Sequence, residues 1–133
     1  MQIIKRKLRC QIDERGELTF AEENIDIPFV TKRVYFLRNL KSDFERGFHA
    51  HKVLKQVIYC VSGSFMLLLD DGKKSKTIEL LAGETVFIDS VVWHVMSHFS
   101  KDCVIAVFAS DFYKESDYIR DYTEYKNHLT KGL

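Results

Sequence analysis

Arg46-Gly47-Phe48-His49-Ala50-His51-Lys52 is the stretch from which the rest of the chain can be read. His49 and His51 stand two apart, and residues i and i+2 of a β-strand project from one face, so both imidazoles reach the same place. Gln56 lies five residues beyond His51, and Gly63 marks a turn after that. Further on, Gly83-Glu84-Thr85-Val86-Phe87-Ile88-Asp89-Ser90-Val91-Val92-Trp93-His94 supplies another histidine at the end of a second strand-like run.

The segments around these histidines share the strand period. Arg33 to Leu40 is short and rich in β-formers. Gln56 to Val61 and Ser64 to Leu69 flank the turn pair Ser62-Gly63, which predicts a hairpin. Asp70-Asp71-Gly72 marks the next turn, followed by Lys76 to Leu81, Gly83 and Thr85 to Ile88. Cys103 to Ala109 is a continuous apolar run suited to a strand buried on both faces. Many short strands punctuated by turns predict an all-β sandwich or barrel. The tail differs: Ser116 to His128 is polar and aromatic, with Ser116 available as an N-cap, and reads as a short helix or an extended arm.

Composition narrows the function classes. The 133 residues suit one domain, 1–133, with no Pro- or Gly-rich linker to divide it. Twenty Lys and Arg against 19 Asp and Glu leave a net charge of +1, with the basic residues interspersed, so no nucleic-acid partner is expected. Neither a signal peptide nor a membrane-spanning run is apparent, and the three Cys make no disulfide framework; a cytoplasmic protein is the expectation. No carboxylate dyad, phosphate-binding glycine loop or serine elbow stands out. The 10 Phe, 6 Tyr and 1 Trp serve either an interface or the lining of an inner cavity.

Gly47, His49, His51, Gln56 and Gly63, followed by Gly83 and His94, resemble the two cupin motifs, with Asp89 and Val91 where the second motif carries Pro and Gly. The resemblance implies a small jelly-roll barrel with its site in the mouth. Metal-binding cupins carry a carboxylate ligand where this chain has Gln56; three histidines and a neutral amide still suit a divalent metal, but the anionic ligand is gone. A longer match covers Arg33-Val-Tyr35, the RGFHAHK block with Gln56, Trp93-His94, HFSKDCVIAVFAS, and Tyr113 through Tyr122. By it the chain resembles the dTDP-4-keto-6-deoxy-D-glucose 3,4-ketoisomerases, a cupin subfamily. Phe48 stands where that subfamily often has Gly.

The subfamily resemblance implies a reaction without metal or other cofactor, in which a dTDP-linked 4-keto-6-deoxy sugar becomes the 3-keto isomer through an enediol. Such chemistry needs groups that take and return protons near neutral pH and a donor for the enolate oxygen. His51 is the expected base, with His49 shuttling protons or orienting it. Tyr35 is the expected donor, its alternative being core filling. Arg33 and Arg46 are candidates for the diphosphate, since a guanidinium forks onto phosphate oxygens. Gln56 can hydrogen-bond a sugar hydroxyl, Trp93 can stack on sugar or base or wall the barrel, and His94 can contact the sugar. The resemblance also implies a homodimer with exchanged N-terminal strands, in which Arg15 reaches the neighbour's site. Two other readings stand beside this one: a metal-dependent small-molecule cupin (a dioxygenase or phosphosugar isomerase), and a sugar-nucleotide-binding cupin without catalysis.

Overall fold

The alternation in Ser64-Phe65-Met66-Leu67-Leu68-Leu69-Asp70 shows how the molecule is built: Phe65, Leu67 and Leu69 are buried, and the residues between them are half-buried. A strand with one face on the core has this pattern. The computed structural model describes residues 1–131; the last two positions of the expected 1–133 unit lie outside the described residues. Two five-stranded antiparallel sheets face each other. The first runs β1 (Lys5–Lys7), β9 (Glu84–Ile88), β6 (Gln56–Ser62), β11 (Val104–Ala109), β4 (Arg33–Leu37). The second runs β12 (Tyr118–Ile119), β5 (Arg46–His51), β10 (Trp93–Ser97), β7 (Ser64–Asp70), β8 (Ser75–Leu81). Among the described residues, strands β2 (Arg9–Asp13) and β3 (Gly16–Phe20) pair only with each other. This is the all-β, cupin-type jelly roll expected.

The core lies between the sheets. Ile58, Cys60, Val86, Ile105 and Val107 come from the first, and Phe65, Leu67, Leu69, Leu80 and Met96 from the second. A second cluster sits outside the β5–β10 face, where Ala50, Trp93, Val95 and Ile119 are covered by Tyr125 of helix α1 (Tyr122–Lys131). The Tyr125 hydroxyl lies 2.8 Å from the Val91 carbonyl oxygen and 2.9 Å from that of Asp70, so it fastens the helix to the sheet.

Two expectations are corrected. The segments flanking Ser62-Gly63 do not pair with each other: β6 belongs to the first sheet and β7 to the second. A single residue, Gly63, connects them at φ +72°, and Ser64 N–H turns to the Ser100 hydroxyl at 2.9 Å, so the turn is a corner between sheets. The true hairpin is β7–β8, around Asp71-Gly72. In the tail, Ser116 is no N-cap. Glu115–Asp117 form a 3₁₀ turn, Tyr118-Ile119 add a short strand to β5, and α1 starts only at Tyr122, where Asp121 caps it by accepting Glu124 N–H at 2.8 Å.

Phe48 and Val91 occupy the left-handed region, at φ 54° and 64°. These are the two places where glycine fits the motifs, and each non-glycine side chain there costs about 1–2 kcal/mol. Phe48 is the extra residue of a β-bulge, since His49 pairs with His94 and Gly47 with Val95.

The Gly63 corner yields a stability test. A Cβ on Gly63 would meet Ser100 Oγ at 2.2 Å and Cys103 Cα at 2.9 Å, whereas one on Gly83 (φ +94°) meets nothing within 4 Å. Urea unfolding is expected to show Gly63→Ala costing about 3 kcal/mol or more, and Gly83→Ala about 1 kcal/mol, from conformation alone.

Candidate active site

Register brings the three histidines together. His49 pairs directly with His94 across β5 and β10, and their ring centroids are 4.6 Å apart. His51, two residues along the same inward face, lies 4.9 Å from His49 and 6.1 Å from His94. The approach depends on Gly47, where a Cβ would come within 2.7 Å of the His94 carbonyl oxygen.

Each ring is held through Nδ1. His49 Nδ1 lies 3.0 Å from Gly47 O and His94 Nδ1 3.2 Å from Val92 O; His51 Nδ1 lies 3.2 Å from Asp117 Oδ2. Carbonyl and carboxylate oxygens only accept, so each Nδ1 carries the hydrogen and each neutral ring keeps a bare Nε2. His51 Nε2 is buried and has no partner among the described residues. One nitrogen from each ring lies within 4.8 Å of the others, a cluster that three imidazoles can close around a divalent cation, although Gln56 contributes no charge to it.

Burial sets the protonation of the trio. It pushes His51 down to about 3, helped by His49, Arg33 and Arg120, and takes His94 to about 3, helped by His49. His49 is lowered by burial too. The rings are therefore neutral at neutral pH, as a proton acceptor must be. Tyr35 goes the other way: burial foremost, then the nearby Tyr118 phenol, raises it to about 12, so it keeps its proton. Its hydroxyl accepts Gln56 Nε2–H at 2.7 Å, while Gln56 Oε1 is buried without a partner among the described residues.

A cavity of about 460 Å³ opens over His49, Tyr35 and Tyr118, with Arg33, Arg46 and Arg120 around it. Arg33 and Tyr35 do share a face, the guanidinium lying 5.2 Å from the phenol ring centre, and Arg33 Nε is buried without a partner among the described residues. The structure thus gathers His49, His51, His94, Tyr35, Gln56, Arg33 and Arg46. It does not gather Trp93, which alternates to the opposite face from His94 and packs 5.6 Å from Tyr125 under α1. Of the two expected places for Trp93, stacking on sugar or base and walling the barrel, the structure shows neither a place in the cavity nor contact with its lining; it is a pillar of the outer cluster. Arg15 sits at the tip of the β2–β3 hairpin, 86% exposed and paired with Asp13, away from the cavity of its own chain.

Comparisons with known proteins show the family of the chain. Residues 1–130 match the family described as FdtA: WxcM-like, C-terminal. The chain belongs to this family. A curated relative, TDP-4-oxo-6-deoxy-alpha-D-glucose-3,4-oxoisomerase of Aneurinibacillus thermoaerophilus, is 47% identical over 121 residues, covering 90% of this chain and 87% of the relative. The crystal structure of a 3,4-ketoisomerase from Helicobacter canadensis superimposes with a TM-score of 0.93 at 39% identity over 98% of both chains. A sugar 3,4-ketoisomerase from Thermoanaerobacterium thermosaccharolyticum, solved in complex with TDP, has a TM-score of 0.93 at 39% identity over 98% of this chain and 96% of its own. A histidine-to-asparagine variant of that enzyme was solved in complex with TDP-4-keto-6-deoxyglucose, at a TM-score of 0.92 and 38% identity over 97% of this chain and 94% of its own.

Two tail residues at the candidate site, Tyr118 and Arg120, are absent from those the sequence singled out. Tyr118 lies 4.9 Å from the His49 ring and 4.4 Å from the His51 ring, and Arg120 stacks 4.2 Å above it, held by Glu115 at 2.9 Å and 3.0 Å. Their signal is the Ser-Asp-Tyr-Ile-Arg-Asp-Tyr run itself, specific to the subfamily yet equally consistent with a helix or arm.

The buried trio ties stability to pH. Rings whose folded pKa lies below the unfolded value near 6.5 stabilise the neutral fold fully above that value. The stabilisation is lost as pH falls from about 6.5 toward about 3, by up to about 1.4 kcal/mol per pH unit for each ring. Urea unfolding between pH 7 and 5 is expected to show this decline, and His94→Gln to make it shallower.

Proposed function

We propose that the protein converts dTDP-4-keto-6-deoxy-D-glucose into a dTDP-3-keto-6-deoxy-hexose, an intramolecular oxidoreduction between neighbouring carbons. The observation that carries this reading is the bare, buried Nε2 of His51, without a partner among the described residues, on the face of His49, over which a proton-bearing Tyr35 lines the cavity. His51 removes the proton from C3, alpha to the C4 ketone. The electron pair forms the C3=C4 bond, and the C4 oxygen takes up charge and then a proton. The hydroxyl on C3 gives up its proton as the C3 ketone forms, and a proton enters at C4. His49 shuttles the proton between the two oxygens, and Tyr35 polarises the ketone or delivers the proton to C4. A positioned acid or base contributes about 10²–10⁴-fold to such steps.

Binding follows the same surface. Arg33 and Arg46 take the diphosphate as bidentate donors. Gln56 Oε1 accepts a sugar hydroxyl, and His94 Nε2 offers a further contact. The relatives solved with TDP and with TDP-4-keto-6-deoxyglucose support this class of ligand. A 3-keto sugar is chemically suited to an aminotransferase, which would give a 3-amino sugar for a surface glycan. Cys60 and Cys103 are buried and unbridged, in keeping with a cytoplasmic setting.

The working unit is a homodimer with exchanged N-terminal strands. The outer face of the first sheet supports it: Val34, Phe36 and Val61 are 44%, 66% and 41% exposed there, and Phe108 and Tyr59 extend the stripe across the sheet by register. The β2–β3 hairpin, which pairs with no other strand among the described residues, exposes Ile12 and Leu18 at 71% and 59% and carries Arg15 at its tip; an isolated two-stranded hairpin is marginally stable, so a partner surface suits it. Docked on the partner, it brings Arg15 toward the second site.

Proton NMR of chelator-treated protein with the 4-keto substrate in deuterium oxide tests the reaction. A 3-keto product with deuterium at C4 is expected, and its coupling constants read the configuration there. His51→Asn is expected to lower kcat at least about 10²-fold while still binding dTDP. Turnover that appears only after a metal is added back would move the assignment to the metal-dependent reading, which the three-histidine cluster favours. Light scattering is expected to give twice the 15.6 kDa chain mass, and a monomer would remove the exchanged dimer.

A further inference from the structure

Asp117 is absent from the sequence-level site, yet it is tied to His51 more closely than any other acidic residue. It precedes β12, whose pairing of Tyr118 with His51 and Ile119 with Ala50 draws the carboxylate to the end of β5. There it meets a converging set of donors. Oδ1 accepts Val53 N–H at 2.8 Å; Oδ2 accepts Leu54 N–H at 3.3 Å and His51 Nδ1–H at 3.2 Å. Its own carbonyl oxygen accepts Lys52 N–H at 2.9 Å. The side chain is only 16% exposed.

Three donors on two oxygens need a group that accepts everywhere and donates nowhere, and among side chains only an ionised carboxylate does so. The backbone N–H groups cannot rearrange their hydrogens; the imidazole can. Whatever faces His51 Nδ1 therefore decides which ring nitrogen is bare. We propose that Asp117 is a positioning residue that fixes the tautomer and orientation of His51, so that Nε2 meets the substrate as a lone pair. This rests on the isomerase reading and deepens it by naming what makes His51 a competent base. Asp117 touches no reacting atom; it acts through the ring. In the protein it also stabilises the imidazolium that forms when the C3 proton arrives.

The decisive variant is Asp117→Asn. The amide keeps an oxygen for Val53 N–H but turns its NH₂ to His51. The ring then accepts at Nδ1, and its hydrogen moves to Nε2. Where a carboxylate fixes the tautomer of a catalytic histidine, replacing it by the amide costs up to about 10⁴-fold in kcat. Ser110→Ala is the structural control: it removes the hydroxyl that accepts Lys55 N–H at 2.9 Å, loosening the same β5–β6 connection without touching His51.

Nitrogen-15 NMR of the full-length protein, with the His51 signals assigned by their loss in His51→Asn, reads the tautomer without substrate. The wild type is expected to show hydrogen on Nδ1 and a bare Nε2, and Asp117→Asn the reverse. The amide variant is also expected to lose at least about 10²-fold in kcat with KM changed less than about threefold, while Ser110→Ala stays within about twofold of wild type. The proposal is overturned by a wild-type ring with its hydrogen on Nε2, by an unchanged tautomer in Asp117→Asn, or by a Ser110→Ala loss equal to that of Asp117→Asn. A wild-type protein that leaves the 4-keto sugar unchanged overturns the isomerase reading instead, and the spectra still decide what Asp117 does to His51.

Discussion

The close approach of β5 to β10 is the constraint on which the site depends. Gly47 lets the two backbones meet where any side chain would strike the His94 carbonyl. The bulge at Phe48 then restores the register that sets His49 opposite His94. Without the bulge, a one-residue slip would send the imidazoles to the outer face, because side chains alternate along a strand. The same alternation aims Ala50, Trp93 and Val95 outward, where they make the floor for α1. One strand pair thus builds the chemistry on its inner face and the anchor of the C-terminus on its outer face.

Low dielectric surroundings make the arrangement useful. Imidazoles in water would be partly protonated near neutral pH; crowded together and buried, they stay neutral. The price is a set of polar atoms without partners among the described residues: His51 Nε2, Gln56 Oε1 and Arg33 Nε. Buried atoms of this kind are uncommon, and each of these belongs to a residue at the candidate site or in contact with one that lines its cavity. Positive charge is kept to the mouth, with Arg33, Arg46 and Arg120, and two of these, Arg33 and Arg120, also discourage protonation of His51 beneath.

Much of this arrangement is legible in the sequence, because strand geometry is periodic. His49 and His51 have to share a face, as do Arg33 and Tyr35, and the burial of Phe65, Leu67 and Leu69 follows from the same rule. Relations between distant segments are not legible in this way. Ser62-Gly63 has the composition of a hairpin turn, yet one residue with a left-handed backbone can equally turn a corner between sheets, and only the ladder partners of β6 and β7 decide it. Trp93 beside His94 reads as a pair, but neighbours on a strand face opposite ways. Asp117 and Tyr118 stand more than 60 residues from His51, and a two-residue strand is too short to show a period.

The short strand β12 has a consequence for how the molecule opens. It contributes only two paired positions, at the edge of the second sheet, yet it carries the segment that walls the cavity and touches the His51 ring. Edge segments with few ladder bonds are the first to detach in the native state, at a free energy well below that of global unfolding. Peeling residues 113–121 from β5 would uncover the histidines while leaving the Phe65–Leu67–Ile105 core intact. The wall over the histidines and the hydrophobic core beneath them therefore belong to units of different local stability. Access to the histidines is thus governed by two ladder positions rather than by the stability of the whole fold.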